Sequence, residues 1–225
     1  MPKKIRKIRS VYRKSKSISI KIIDNDSLSI ANEQDPQAHV LVLNFANNQK
    51  SGGGYGNKGH TQEEYLLRDT NLGDELDESL YPICESPEDA CAILSQNITV
   101  KSSGRKISII TCPALVGPRV RDNLEDIDIS YFVFDNDREN TENRIRLICA
   151  TAARLQVEVL VLGAWGCGVF CNPVYELCLL WKKYIQLYEI HKVVFPVPID
   201  HASGNDYLHR MFVKFMNTKS ELNNS

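Results

Sequence analysis

Residues 17–23 alternate polar and apolar positions, Ser-Ile-Ser-Ile-Lys-Ile-Ile, with β-branched side chains at the apolar sites, which predicts a half-buried strand. Asp26 or Ser27 then offers a cap for a short helix, and the apolar run over 39–45 predicts a buried strand. Residues 47–60, rich in Asn, Gly and Lys, have no period and read as a loop. Thr61 with Glu64 three positions later fits a capping box, so a helix is expected from Gln62. Another is expected over 86–96, where Ser86 precedes Pro87 and acids fill the first turn. The segment 106–115 predicts a strand ending at Pro113, followed by a charged loop over 117–130. Then come a short strand at 131–134, a helix over about 138–155, a strand at 157–165 and a Gly-rich loop. A helix from Pro173 to about Tyr188, a strand at 191–197 and a helix over about 204–217 finish the chain.

In the later half strands and helices alternate, which implies parallel pairing through right-handed crossovers. The expected fold is an α/β, three-layer α/β/α domain with a mixed central sheet, spanning 18–217 between a basic arm (1–17) and a polar tail (218–225). Ligands of open α/β sheets bind where strands end at their carboxyl edge, so the loops after 39–45 and 157–165 are the candidate site.

The chain has 225 residues, 43% of them hydrophobic, enough for one domain with a sizeable core. No apolar run reaches the roughly 18 residues that span a bilayer, and the N-terminus lacks a signal-peptide apolar core, so no membrane partner and an intracellular location, cytoplasmic or nuclear, are expected. Seven cysteines scattered through strands and helices argue for reduced thiols rather than a disulfide framework. Cys167, Cys171 and Cys178 lack the paired spacing of a zinc site, and no metal is expected. Charge is uneven: residues 1–17 hold eight Lys or Arg and no acid, leaving 19 basic against 28 acidic residues beyond them, a net of −9. A basic arm of this kind is either a solvated tail, an import signal or a contact for polyanions, while the acidic body argues against whole-domain duplex binding.

Two stretches carry chemistry. Gly52, Gly53 and Gly54 are followed after seven residues by Gln62, Glu63 and Glu64, so mobile backbone precedes paired carboxylates at a helix start. Helix capping alone accounts for acids there, and three glycines alone make a hinge. Adjacent helical residues diverge by about 100°, so Glu63 and Glu64 cannot face each other across a glycosidic bond. The second stretch, residues 162–173, places Gly163, Gly166 and Gly168 between a strand and a helix start, an arrangement suited to a pyrophosphate or to a tight packing turn.

Together the segments Val-Leu-Asn-Phe-Ala-Asn-Asn-Gln-Lys-Ser-Gly-Gly-Gly-Tyr-Gly-Asn-Lys-Gly-His-Thr-Gln-Glu-Glu and Val-Leu-Gly-Ala-Trp-Gly-Cys-Gly-Val-Phe-Cys-Asn-Pro resemble the signature and the diphosphate loop of poly(ADP-ribose) glycohydrolases of the bacterial type. The resemblance implies a macrodomain fold and hydrolysis of poly(ADP-ribose), mainly exo-acting, with ADP-ribose as product and no cofactor. It implies Glu64 as the catalytic acid and base, Glu63 on the ribose hydroxyls, and Asn47 fixing that ribose. Gly52, Gly53, Gly54 and Gln62 would line the ribose and phosphate region. Gly166, Cys167, Gly168, Val169 and Phe170 would wrap the diphosphate through backbone contacts, with Phe170 also packing against the nucleoside end. Partners would be the polymer or ADP-ribosylated macromolecules, and a monomer is expected. A non-catalytic ADP-ribose reader and a mono-ADP-ribosyl hydrolase are the alternatives.

Overall fold

The structure, a computed structural model, describes residues 17–53 and 61–217. The basic arm up to Lys16, Gly54 with the spacer to His60, and the tail from Thr218 lie outside the described residues.

Strands β1 (Ser19–Ile23), β2 (Val40–Ala46), β4 (Lys106–Pro113), β7 (Val159–Val161) and β8 (Lys192–Pro196) are joined by β3 (Ile93–Thr99) in a six-stranded sheet of order β1-β8-β7-β2-β4-β3. All neighbours pair in parallel except β3, which runs antiparallel to β4. The five parallel strands therefore end at one carboxyl edge, and the loops that begin at residues 24, 47, 114, 162 and 197 all leave from it.

Side chains alternate across each strand, and here both faces are covered. Leu41 and Leu43 of β2 join a core with α4 (Asp135–Arg154), α5 (Val174–Leu187) and α6 (Tyr207–Asn217). Val40 and Val42 point the other way, to α1 (Ser27–Asn32), α2 (Gln62–Asp69) and α3 (Leu72–Glu75). That double burial is why 39–45 reads as a continuous apolar run. On α5, Leu177, Leu180, Trp181, Tyr184 and Ile185 are buried at helical spacing, and on α6 Met211, Phe212, Phe215 and Met216 are. Trp181 meets Trp165 and Phe195 edge-on at 6.0 and 6.2 Å, an aromatic seam that fixes the loop after β7 to α5 and β8.

Two expectations fail. Residues 86–96 form no helix: Ser86 N–H donates to Asp89 Oδ2 (2.9 Å) and Asp89 N–H returns to Ser86 O, so the cap signal yields one turn only. Helix continuation would need the Pro87 and Asp89 carbonyls, but Arg144 takes both (2.9 and 3.2 Å), and Ile93–Thr99 pairs with β4 instead. The charged loop 117–130 contains β5 (Val120–Asp122), which forms an antiparallel hairpin with β6 (Ser130–Phe132). That hairpin is anchored where Glu176 of α5 accepts the Phe132 N–H at 2.5 Å.

Candidate active site at the carboxyl edge

Helix α2 is locked onto the end of β2 by Gln62. Its Oε1 accepts the Phe45 N–H (2.9 Å), and its Nε2 donates to Leu43 O (2.8 Å) and Ser27 Oγ (3.3 Å). The amide is thereby engaged within the fold and fixes where α2 begins. Glu63, next on the helix, is 3% exposed. Its Oε2 accepts the Asn47 N–H at 2.9 Å, and Asn44 Nδ2 approaches Oε1 at 3.5 Å. Burial pushes the Glu63 carboxyl up from 4.5 to about 7, against the opposing pull of the Asn47 N–H, the Asn44 amide and the Gly52 N–H.

Glu64 is 5% exposed and turns elsewhere, its Oε2 accepting the Thr61 N–H at 2.9 Å. The helix start thus separates the two carboxylates as expected: one is under the turn at Asn47, the other on the cap. Asn47 Oδ1 accepts from the N–H groups of Gln49 (2.8 Å) and Lys50 (3.2 Å), folding the first part of the loop over Glu63. Gly53 completes that turn at φ +52°, where an added Cβ would lie 3.3 Å from both Asn47 Cβ and Glu63 Oε2. Gly52 is buried beside it, while Gly54 lies outside the described residues.

The loop after β7 shows what its glycines are for. Gly166 has φ +75°, and a Cβ there would stand 2.9 Å from Ala114 Cβ and 3.0 Å from Asn172 Nδ2. Asn172, 4% exposed, donates to Leu115 O (2.8 Å) and Gly166 O (3.0 Å), and Gly117 N–H donates to Phe170 O (3.0 Å). Trp165 Nε1 adds a bond to Cys112 O at 2.9 Å. These contacts zip the loop to the segment that follows β4. Gly168 differs: it is exposed, and a Cβ there would meet nothing within 4 Å. Packing explains Gly166, then, and leaves Gly168 and the 87% exposed Val169 facing solvent. The Cys167 thiol is buried and its pKa pushed well up by desolvation, which suits a backbone role and no thiolate chemistry.

Asn47 and Phe170, one from each predicted loop, line a common cleft of about 690 Å³. Its walls are residues 84–87, the 114–119 segment and the start of α4. A larger hollow of about 960 Å³, bordered by Gln156, Glu158 and His191, lies at the opposite, amino edge of the sheet, away from both glycine loops and both carboxylates. The carboxyl edge is the better functional candidate because a ligand-sized cleft opens there beside Asn47, whose N–H is held by the buried Glu63. Among the described residues no group of His, Cys, Asp and Glu is arranged to hold a metal ion.

Four supporting residues were not singled out from sequence. Asn44 interrupts an apolar strand, the one signal that a polar group was needed at its end. Asn48 clasps Cys84 through both its amide atoms, at 2.9 and 2.8 Å. Arg144, 3% exposed, holds the carbonyls of Pro87, Asp89 and Pro113. Its place on the apolar face of α4, beside Ile145 and Ile148, was the available clue. Asn172 gave no signal beyond its position before Pro173.

Residues 4–100 match the family model for the catalytic domain of microbial-type PARG. A comparison with curated proteins found no match. Among solved structures, the chain is similar to the poly(ADP-ribose) glycohydrolase of Deinococcus radiodurans in complex with ADP-ribose, with a TM-score of 0.71, 22% identity and coverage of 88% of this chain and 84% of that one. It is also similar to the enzyme of Thermomonospora curvata, with a TM-score of 0.68 and 21% identity over 88% of this chain and 76% of that one. The Thermomonospora curvata protein bound to the inhibitor ADP-HPD gives 0.67 and 21%, covering 87% and 78%. Residues 4–100 thus carry the pattern of the microbial-type PARG catalytic domain, on a fold that the chain shares with bacterial poly(ADP-ribose) glycohydrolases.

Proposed function

We propose that this chain is a poly(ADP-ribose) glycohydrolase that cleaves ribose–ribose O-glycosidic bonds, mainly from polymer ends, and releases ADP-ribose. The observation that carries this reading is the placement of Glu63 and Glu64. Two buried carboxylates lie at the start of α2, one directly under the Asn47–Gly53 turn, at the same sheet edge as the Gly166–Phe170 loop.

In this reading the ADP-ribose unit lies across the carboxyl edge, with its diphosphate against the exposed backbone at Gly168 and Val169 and its distal ribose between Asn47 and Phe170. Glu64, protonated, donates to the departing 2′-oxygen as the C1″–O bond breaks, and an oxocarbenium-like centre forms. The Glu64 carboxylate then takes a proton from water as that water attacks C1″, which regenerates the acid. One carboxylate serves twice because its neighbour points elsewhere. Glu63, with a carboxyl near 7, accepts or donates hydrogen bonds to ribose hydroxyls at neutral pH and holds the loop over them. Gln62 acts through α2 by fixing where both acids start.

Incubation of the full chain with end-labelled polymer tests the activity. Free ADP-ribose should appear from the first time points while long chains persist. Early oligomers without ADP-ribose would overturn exo-action, and an unchanged polymer with measurable ADP-ribose binding would make the protein a reader.

A further inference from the structure

The chain enters the fold beside the hollow at the amino edge. Ser17, the first described residue, borders that hollow, and two positions on the Ser19 N–H donates to His191 O at 2.8 Å, pinning the start of β1 to the start of β8. His191 and Lys192 border the hollow as well, so residues 1–16 are joined to the body at its rim. We propose that this hollow, of about 960 Å³, is the docking site of the chain's own basic arm. The docking does not depend on the glycohydrolase reading, because it concerns the edge of the sheet opposite the candidate active site.

Shape and charge both fit that occupant. The walls come from the end of α4 (Ala152, Ala153), the turn after it (Gln156, Val157) and the turn after α5 (Tyr188, Glu189). Gln156 and Glu189 each take a φ of +51° just beyond their helix, so both helices stop at the hollow and bring the negative ends of their dipoles to it. Asp35, Glu158 and Glu189 are exposed on the lining, and among the described residues none of the three forms an ion pair. Lys192 and a neutral His191 stand against them, which leaves the lining net acidic. The arm is the counterpart: residues 1–16 hold eight Lys or Arg and no acid, interleaved with Ile5, Ile8, Val11 and Tyr12. Ala152, Ala153, Val157 and Ile190 supply apolar surface for those side chains and for the aliphatic stems of the cations. Exposed ion pairs are individually weak, but attachment at the rim gives the arm an effective concentration on the order of millimolar, at which several weak contacts fill the site.

The test uses the full chain. Limited trypsin digestion, followed by the masses of the N-terminal fragments, reads how fast the arm is cut in the native chain and in the double variant Glu158→Gln, Glu189→Gln. Neither substitution adds a trypsin site, and the new amide at 158 keeps an acceptor for the His39 N–H that Glu158 holds at 2.8 Å. Arm cleavage should be about tenfold faster in the double variant, with an unchanged thermal transition, and raised salt should bring the native chain to the same rate. Equal rates at low salt overturn the proposal and make the arm a solvated tail. Carbodiimide coupling of the native chain gives a second reading: Lys3, Lys4 or Lys7 should couple to Asp35, Glu158 or Glu189 within one chain, and raised salt should abolish the coupling. The proposal is equally overturned by no coupling, by coupling spread over carboxylates outside the hollow, or by coupling confined to covalent dimers in which a second copy supplies the arm.

Discussion

Glu63 Oε2 accepts the backbone N–H of Asn47 at 2.9 Å, so a buried carboxyl is joined to the first residue after β2. Folded, Glu63 keeps its proton up to about pH 7; unfolded, it loses it near 4.5. A raised folded value means that its stabilising contribution is fully present below pH 4.5 and is lost as pH rises through 7. The amount is on the order of 3 kcal/mol. Glu63→Gln removes the ionisation and keeps the shape. Its melting temperature should gain on the native chain by about 5–10 °C between pH 5 and pH 8. A difference that stays flat over that range would show that Glu63 ionises freely in the fold.

The glycines of the second loop should separate fold from ligand. Gly166→Ala meets Ala114 Cβ at 2.9 Å and sits at positive φ, so it should cost about 1–3 kcal/mol of stability in denaturant unfolding. Gly168→Ala meets nothing, so its stability should stay within about 0.5 kcal/mol of native while ADP-ribose affinity drops. Native affinity in Gly168→Ala would remove the close backbone approach from the proposal.

Cys167→Ser tests whether the thiol matters. Its sulfur is buried beside the Trp165 carbonyl at 3.6 Å, and the serine hydroxyl inherits that one acceptor in an apolar setting. Stability should fall by about 1–3 kcal/mol with turnover retained below the melting transition. Loss of turnover in a folded variant would contradict a backbone-only role.

Much of the fold was legible because burial on both sheet faces writes long apolar runs into β2, β4 and β8, and helical spacing into α4, α5 and α6. Residues 86–96 misled for a physical reason. Ser86 and Pro87 give a sound local cap, but the carbonyls a helix would need are taken by Arg144, which is 55 or more positions away. The carboxylates and both glycine loops were visible as motifs. What the motifs could not convey is the division of labour: Gln62 clamps α2 to β2, Gly166 is demanded by Ala114 and Asn172, and burial beneath the Asn47 turn raises the Glu63 carboxyl. Each depends on a partner distant in sequence.

The basic arm lies outside the described residues, and its part in binding is open to a direct measurement. If it contacts the polyanion, deletion of residues 1–17 should weaken polymer binding and flatten its dependence on salt, with ADP-ribose affinity unchanged. Identical salt slopes for the two forms would assign the arm no role in holding polymer.

The sharpest measurement compares ADP-ribose release from poly(ADP-ribose) by the native chain and by Glu64→Gln, alongside the affinity of each for ADP-ribose. Loss of the proton donor at an otherwise intact site should lower turnover by about 10²–10⁴-fold and leave the affinity within a few-fold of native. Release at the native rate by Glu64→Gln would contradict the assignment of the proton to Glu64.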